Sequence, residues 1–221
     1  MSNTNRLKER LAEAARYALL RRLAPAIRHS MGGALQPISM VVALLEKRLQ
    51  APVPDLVVLG KNCSSIKTLS LEAASTCVGL MSWLAPNDNE RVRINKGIAD
   101  SVELLTTEIS FRGFDLVNET ASVDAEVPQS ILRSVFVASL IALIDAAHSP
   151  GKVLLTARVV DGEVLLVIAI TAFDGESAPA SLLAYRELDW DDVQSLAAAE
   201  GVSLERADNL VKLRYRTAVV E

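Results

Sequence analysis

Apolar positions in the first part of the chain recur in alternating steps of four and three. Ile27, Met31, Ala34, Ile38, Val41 and Leu45 form one series, and Leu59, Cys63, Ile66, Ser70, Ala73, Cys77, Leu80 and Leu84 form a second. A stripe of this period is the seam that one helix turns towards another. The first helix is expected from about Asn5, through a stretch rich in Ala, Leu, Arg and Glu, to about Leu49, with Pro25 kinking or restarting it and Pro37 bending it. Ala51-Pro52-Val53-Pro54 reads as a turn, Asp55 as an N-cap, and Leu56 to Leu84 as a second long helix. Two long helices across a short loop make an antiparallel hairpin. One hairpin buries only one stripe per helix, so a four-helix bundle made by a symmetric homodimer is the expected assembly.

After Ala85-Pro86-Asn87-Asp88-Asn89 the pattern changes, which divides the chain into residues 1–86 and 87–221. The second part alternates strands and helices. Strands are expected at Arg91–Ile94, Phe114–Ala121, Lys152–Val160, Glu163–Ala172, Val202–Asp208 and Leu210–Val219. Helices are expected at Asn95–Arg112 (closed by Gly113), Pro128–Ala147 and Asp189–Glu200 (capped by Asp189, ended by Gly201). Asp161-Gly162 between two apolar runs is a hairpin turn signal. The fold class is α+β, with an antiparallel-rich sheet covered on one face by helices.

Composition narrows the function. The chain has 221 residues, half of them hydrophobic, and a net charge of −4, so no nucleic-acid footprint is expected despite the local cluster Arg21, Arg22 and Arg28. Cys63 and Cys77 lack metal-ligand spacing and read as small buried residues in a reducing compartment. The polar start and the lack of a charge-free spanning run predict a cytoplasmic protein that does not enter the membrane. Asp189, Asp191 and Asp192 read as capping and surface charge rather than a metal site, Trp83 and Trp190 as packing anchors, and His148 as structural. Asp145 is assigned no role.

His29 is the residue with candidate chemistry. At about 100° per residue it lies roughly 200° from Ile27, on the outward face with Arg22, Pro25, Gly32 and Gln36. Gly32 and Gly33 each cost about 1 kcal/mol of helix stability relative to Ala, which suggests a need for close approach beside His29. Arg22 and Arg28 are suited to steering an acidic partner. Arg22, Arg28, Gly32, Gly33 and Gln36 are the candidate partner-binding residues.

A His on the first helix of a dimerising hairpin, followed by this α/β layer, resembles the core of a sensor histidine kinase over almost the whole chain. His29, Leu35 and Ile38 fall on the His, Leu and Ile of the family's phosphoacceptor motif. Val135–Ala147 resembles the helix that carries its magnesium-binding asparagines, and Pro150–Ala157 its next strand. The departures remove ATP chemistry. Ser30 replaces the acidic general base, Gly33 replaces the side chain that positions water, and Ala138 and Ala142 replace the asparagines. Ala172-Phe173-Asp174-Gly175-Glu176 is a poor remnant of the first glycine-rich loop, and Leu188-Asp189-Trp190-Asp191-Asp192 sets acids where the second would meet phosphates. What remains is similar to the ChpT-like histidine phosphotransferases, with a degenerate GHKL-like α/β sandwich. The resemblance implies a phosphohistidine relay through His29 between receiver domains of response regulators. A hybrid histidine kinase is a further implied partner, no cofactor or metal is held by this chain, and magnesium resides on the receiver. The alternatives are a non-catalytic adaptor that sequesters receivers or kinases, and a true kinase with a divergent ATP site.

Overall fold

The computed structural model describes residues 3–84, 90–173 and 187–216. The chain forms two compact units, one of Ala24–Ala85 and one of Met1–Leu23 together with Pro86–Glu221. α1 (Asn3–Leu49) contributes residues to both. Pro25 and Pro37 lie inside α1, and neither ends it.

The helical unit pairs the later part of α1 with α2 (Leu56–Leu84). Asp55 caps α2, its Oδ1 accepting from the backbone N–H groups of Val57 (2.9 Å) and Val58 (3.1 Å). On α1 the seam holds as expected at Ile27, Ala34, Ile38, Val41 and Leu45, whereas Met31 is exposed. On α2 it runs Leu59, Asn62, Ile66, Leu69, Ala73, Cys77, Leu80 and Trp83. Cys63, Ser70 and Leu84, expected in that seam, are exposed, and Cys63 is not a buried residue. Asn62 takes the place of Cys63 because Arg48 Nη1 donates to its Oδ1 at 2.9 Å. A polar pair at a seam fixes which residues face each other, at some expense in stability.

The α/β unit is built on a five-stranded sheet of order β2-β4-β5-β7-β6. Its strands are β2 (Phe114–Asn118), β4 (Gly151–Val160), β5 (Glu163–Ala172), β6 (Ser203–Ala207) and β7 (Leu210–Arg216). β2 and β4 are parallel, and the other neighbours are antiparallel. Alternation along the strands turns Val153, Leu155, Val164, Leu166, Ile168, Val211 and Leu213 into the core. Asp161 (φ 53°) and Gly162 (φ 76°) form the expected tight turn between β4 and β5. The expected final strand continues to Val219, and its last residues lie outside the described ones.

The helices of this unit are α3 (Ile94–Phe111), α4 (Gln129–Ile131), a π-helical segment (Leu132–Phe136), α5 (Val137–Ala146) and α6 (Trp190–Ala199). Gln129–Ala146 is apolar and long enough to cross a membrane, but 78% of it is buried within the protein, as a core helix is. Two three-residue strands, β1 (Arg91–Arg93) and β3 (Glu126–Pro128), pair antiparallel. β3 was not expected, since three residues are too short to show a period.

Candidate functional site

His29 is exposed on α1, in the helical unit, and its ring has no hydrogen-bond or ion-pair partner among the described residues. Gly32 and Gln36 are exposed on the same helix, as the helical phase predicts, and Arg28 and Gly33 are exposed as well. A Cβ added at Gly32 or Gly33 would meet nothing within 4 Å. Packing within the chain therefore gives no reason for glycine at either position, and the helix-propensity cost of both is left without an internal compensation.

The two flanks of the hairpin differ in chemistry. On one flank of the α1 seam, Met31, Leu35, Val42 and Leu49 recur in steps of four and seven and stand between 36% and 54% exposed. The flank of α2 that adjoins them in an antiparallel hairpin carries Leu56, Cys63, Ala74 and Met81, all exposed. His29, Gly33 and Met40 are exposed on α1 away from that flank. The first flank is thus rich in exposed apolar residues, and the face that bears the imidazole mixes Met40, 66% exposed, with polar side chains.

Arg22 departs from expectation. It was placed on the open face with His29 as a steering cation, but its side chain is only 2% exposed. Its Nη2 lies 3.3 Å from Asp145 Oδ1 and also pairs with Glu108 Oε1. Arg112 Nη1 donates to the same Asp145 oxygen, and Arg112 Nη2 donates to the Ile144 carbonyl at 3.1 Å. Two guanidinium and two carboxylate groups therefore balance inside the α/β unit, as buried charges must. Arg22 Nε and Nη1, Arg112 Nε and Asp145 Oδ2 are buried without partners among the described residues. A cavity of about 10 Å³, room for about one water, lies against Arg22, Glu108, Arg112 and Ile144. On the same stretch of α1, Ala12, Ala15, Leu19 and Leu23 are buried, and Arg16 Nη2 donates to Glu200 Oε1 at 3.2 Å.

This cluster had two signals in the sequence. Arg22 continues the buried series Ala12, Ala15, Leu19 and Leu23 in helical steps, and Asp145 is the one charge in the apolar run Val135–Ala147. A charge on a helix otherwise destined for the core needs a counter-charge.

The positions aligned with magnesium-binding asparagines do not fit that role. Ala138 and Ala142 are both buried and offer no side-chain oxygen. Asp189 accepts from the Asp192 N–H at 2.9 Å and the Asp192 carboxylate accepts from the Asp189 N–H at 3.2 Å, a capping box that accounts for these acids as expected. Asp174-Gly175-Glu176 of the first expected loop lie outside the described residues. Trp83 is buried in the hairpin seam, and the Arg206 guanidinium stacks over Trp190 at 4.8 Å. His148 is exposed just past the end of α5.

No protein-family model matches the chain, and no curated protein matches it. Among solved structures it is similar to the Acinetobacter baumannii histidine kinase AdeS, at 14% identity and a TM-score of 0.47, over 81% of this chain and 96% of that one. It is also similar to a bacterial phosphotransferase, at 13% identity and a TM-score of 0.42, over 89% of this chain and 94% of the other. A third likeness is to the histidine kinase ThkA in complex with the response regulator protein TrrA, at 14% identity and a TM-score of 0.43, over 99% of this chain and 67% of that one.

Proposed function

We propose that this protein is a cytoplasmic histidine phosphotransferase that relays a phosphoryl group through His29 between receiver domains of response regulators. The observation that carries the reading is the exposed, unpartnered His29 beside two glycines whose surroundings are empty. The unprotonated ring nitrogen attacks phosphorus of a receiver's aspartyl phosphate. The bond from phosphorus to the aspartate oxygen breaks, and the aspartate leaves as a carboxylate. The reverse step hands the group to a second receiver. Gly32 and Gly33 let the partner's backbone come close, while the exposed Arg28 and Gln36 contribute to partner binding. Magnesium is supplied by the receiver, and the chain itself uses no ATP, consistent with alanines at positions 138 and 142.

The working unit in this reading is a homodimer. The apolar flank of Met31, Leu35, Val42, Leu49, Leu56 and Met81 closes against its copy in a four-helix bundle. His29, on the other flank, stays open to a receiver or a hybrid histidine kinase.

Mixing the protein with receiver domains phosphorylated by a small-molecule donor tests the reading. The expected product carries phosphorus on an acid-labile, base-stable bond at residue 29. Tight receiver binding with no phosphoryl on the protein would instead identify a non-catalytic adaptor.

A further inference from the structure

We propose that Arg22 is a positioning residue: it anchors the first part of α1 on the α/β unit and so holds the helix that presents His29. The inference rests on His29 as the relay residue and adds a determinant outside the partner surface. Ala12, Ala15, Leu19 and Leu23 are the buried apolar side chains of residues 12–23, and their burial is non-directional. Specific placement then falls to charge. Arg16 reaches Glu200 at the end of α6, whose other carboxylate oxygen accepts from Ser130 Oγ at 2.8 Å. Arg22 reaches Glu108 on α3 and Asp145 on α5.

A guanidinium fork gripped from two helices fixes the rotation of α1 about its own axis, because a shift of one residue would swing Arg22 by about 100° away from both carboxylates. Between Arg22 and His29, about two turns along one helix, lies Pro25. Proline has no N–H to give the Arg21 carbonyl, so the helix is weakened here, as it is at Pro37, and its integrity at this point depends on how firmly the preceding turns are held. Arg22→Met removes the grip while sparing the body, since Asp145 keeps Arg112 and Glu108 is partly open to solvent.

Hydrogen–deuterium exchange and phosphoryl transfer on the full chain test this together, using wild type, Arg22→Met and Arg22→Lys. The expected result for Arg22→Met is at least tenfold faster exchange over residues 12–23, with β4 and β5 unchanged. Transfer through His29 should slow at least fivefold at saturating phosphorylated receiver, with the half-saturating concentration unaltered. Arg22→Lys should recover part of both effects, and it is the variant to read if Arg22→Met melts the whole unit. Unchanged protection of residues 12–23 would overturn the anchor. Faster exchange with unchanged transfer would overturn the link to His29. If wild type accepts no phosphoryl group, the relay reading and the link to it both fall, while exchange still decides whether Arg22 anchors α1.

Discussion

Arg22 Nη2 stands 3.3 Å from Asp145 Oδ1, the same oxygen that accepts from Arg112. Asp145 is 4% exposed, so its carboxylate is the common counter-charge of two buried cations. Asp145→Ala would leave both without their shared partner, and breaking a buried pair in this way costs about 3–5 kcal/mol. Urea unfolding followed on the α/β unit should show a loss of that size, and a smaller one for Arg22→Met. A loss below about 1 kcal/mol for Asp145→Ala would mean that the cluster does not hold the unit together.

Period and spacing made much of this architecture legible. The bounds of α2, the turn at Asp161-Gly162 and the cap at Asp189 all follow from local rules, because each depends on residues near in sequence. Phase puts His29, Gly32 and Gln36 on the outward face, and all three are exposed. Arg22 was misread because helical phase says which residues share a face, not what covers that face. Its neighbours come from Glu108 and Asp145, far along the chain. The shift from Cys63 to Asn62 has the same origin: a hydrogen bond from Arg48 outweighed a preference for the more apolar residue.

Gly32 and Gly33 set stability against function. Replacing either by Ala should stabilise the helical unit by about 1 kcal/mol, since the new Cβ meets nothing within 4 Å. The same changes should slow phosphoryl transfer at subsaturating receiver, because the methyl stands where the partner approaches. Thermal unfolding and transfer rates measured on the same samples check both halves. Faster or unchanged transfer would show that the glycines leave no room a partner needs.

The apolar flank of the hairpin gives the oligomer prediction. Leu35 is 48% and Val42 36% exposed, and a Glu at either would place a charge in the middle of the bundle. Light scattering on size-fractionated protein should give a dimer for the wild type and a monomer for the Leu35→Glu/Val42→Glu double variant. A wild-type monomer at micromolar concentration would remove the four-helix bundle from the account.

Tyr215 sets a limit at high pH. Burial pushes its hydroxyl well above the ordinary tyrosine value, and the hydroxyl has no hydrogen-bond partner among the described residues. An unfolded chain loses this proton near pH 10, whereas the folded one keeps it. The contribution is fully present below about pH 10 and is lost as pH rises towards the folded value. Stability of the α/β unit should therefore fall with rising pH in that range, and Tyr215→Phe should flatten the slope. Below it, Tyr215→Phe should be neutral or stabilising by about 1 kcal/mol, because an unpaired buried hydroxyl is removed. Equilibrium unfolding between neutral and strongly alkaline pH reads this, and a clear loss of stability in Tyr215→Phe at neutral pH would show that the hydroxyl is satisfied.

On the proposed relay, His29 carries the phosphoryl group. The most direct measurement is acceptance of labelled phosphate from phosphorylated receiver domains of the same genome by wild type and by His29→Ala, with folding of both monitored by circular dichroism. The expected result is acid-labile label on the wild type, its loss when a second receiver is added, and none on His29→Ala. Equal labelling of the two proteins, or none on a wild type that binds the receivers, would contradict it.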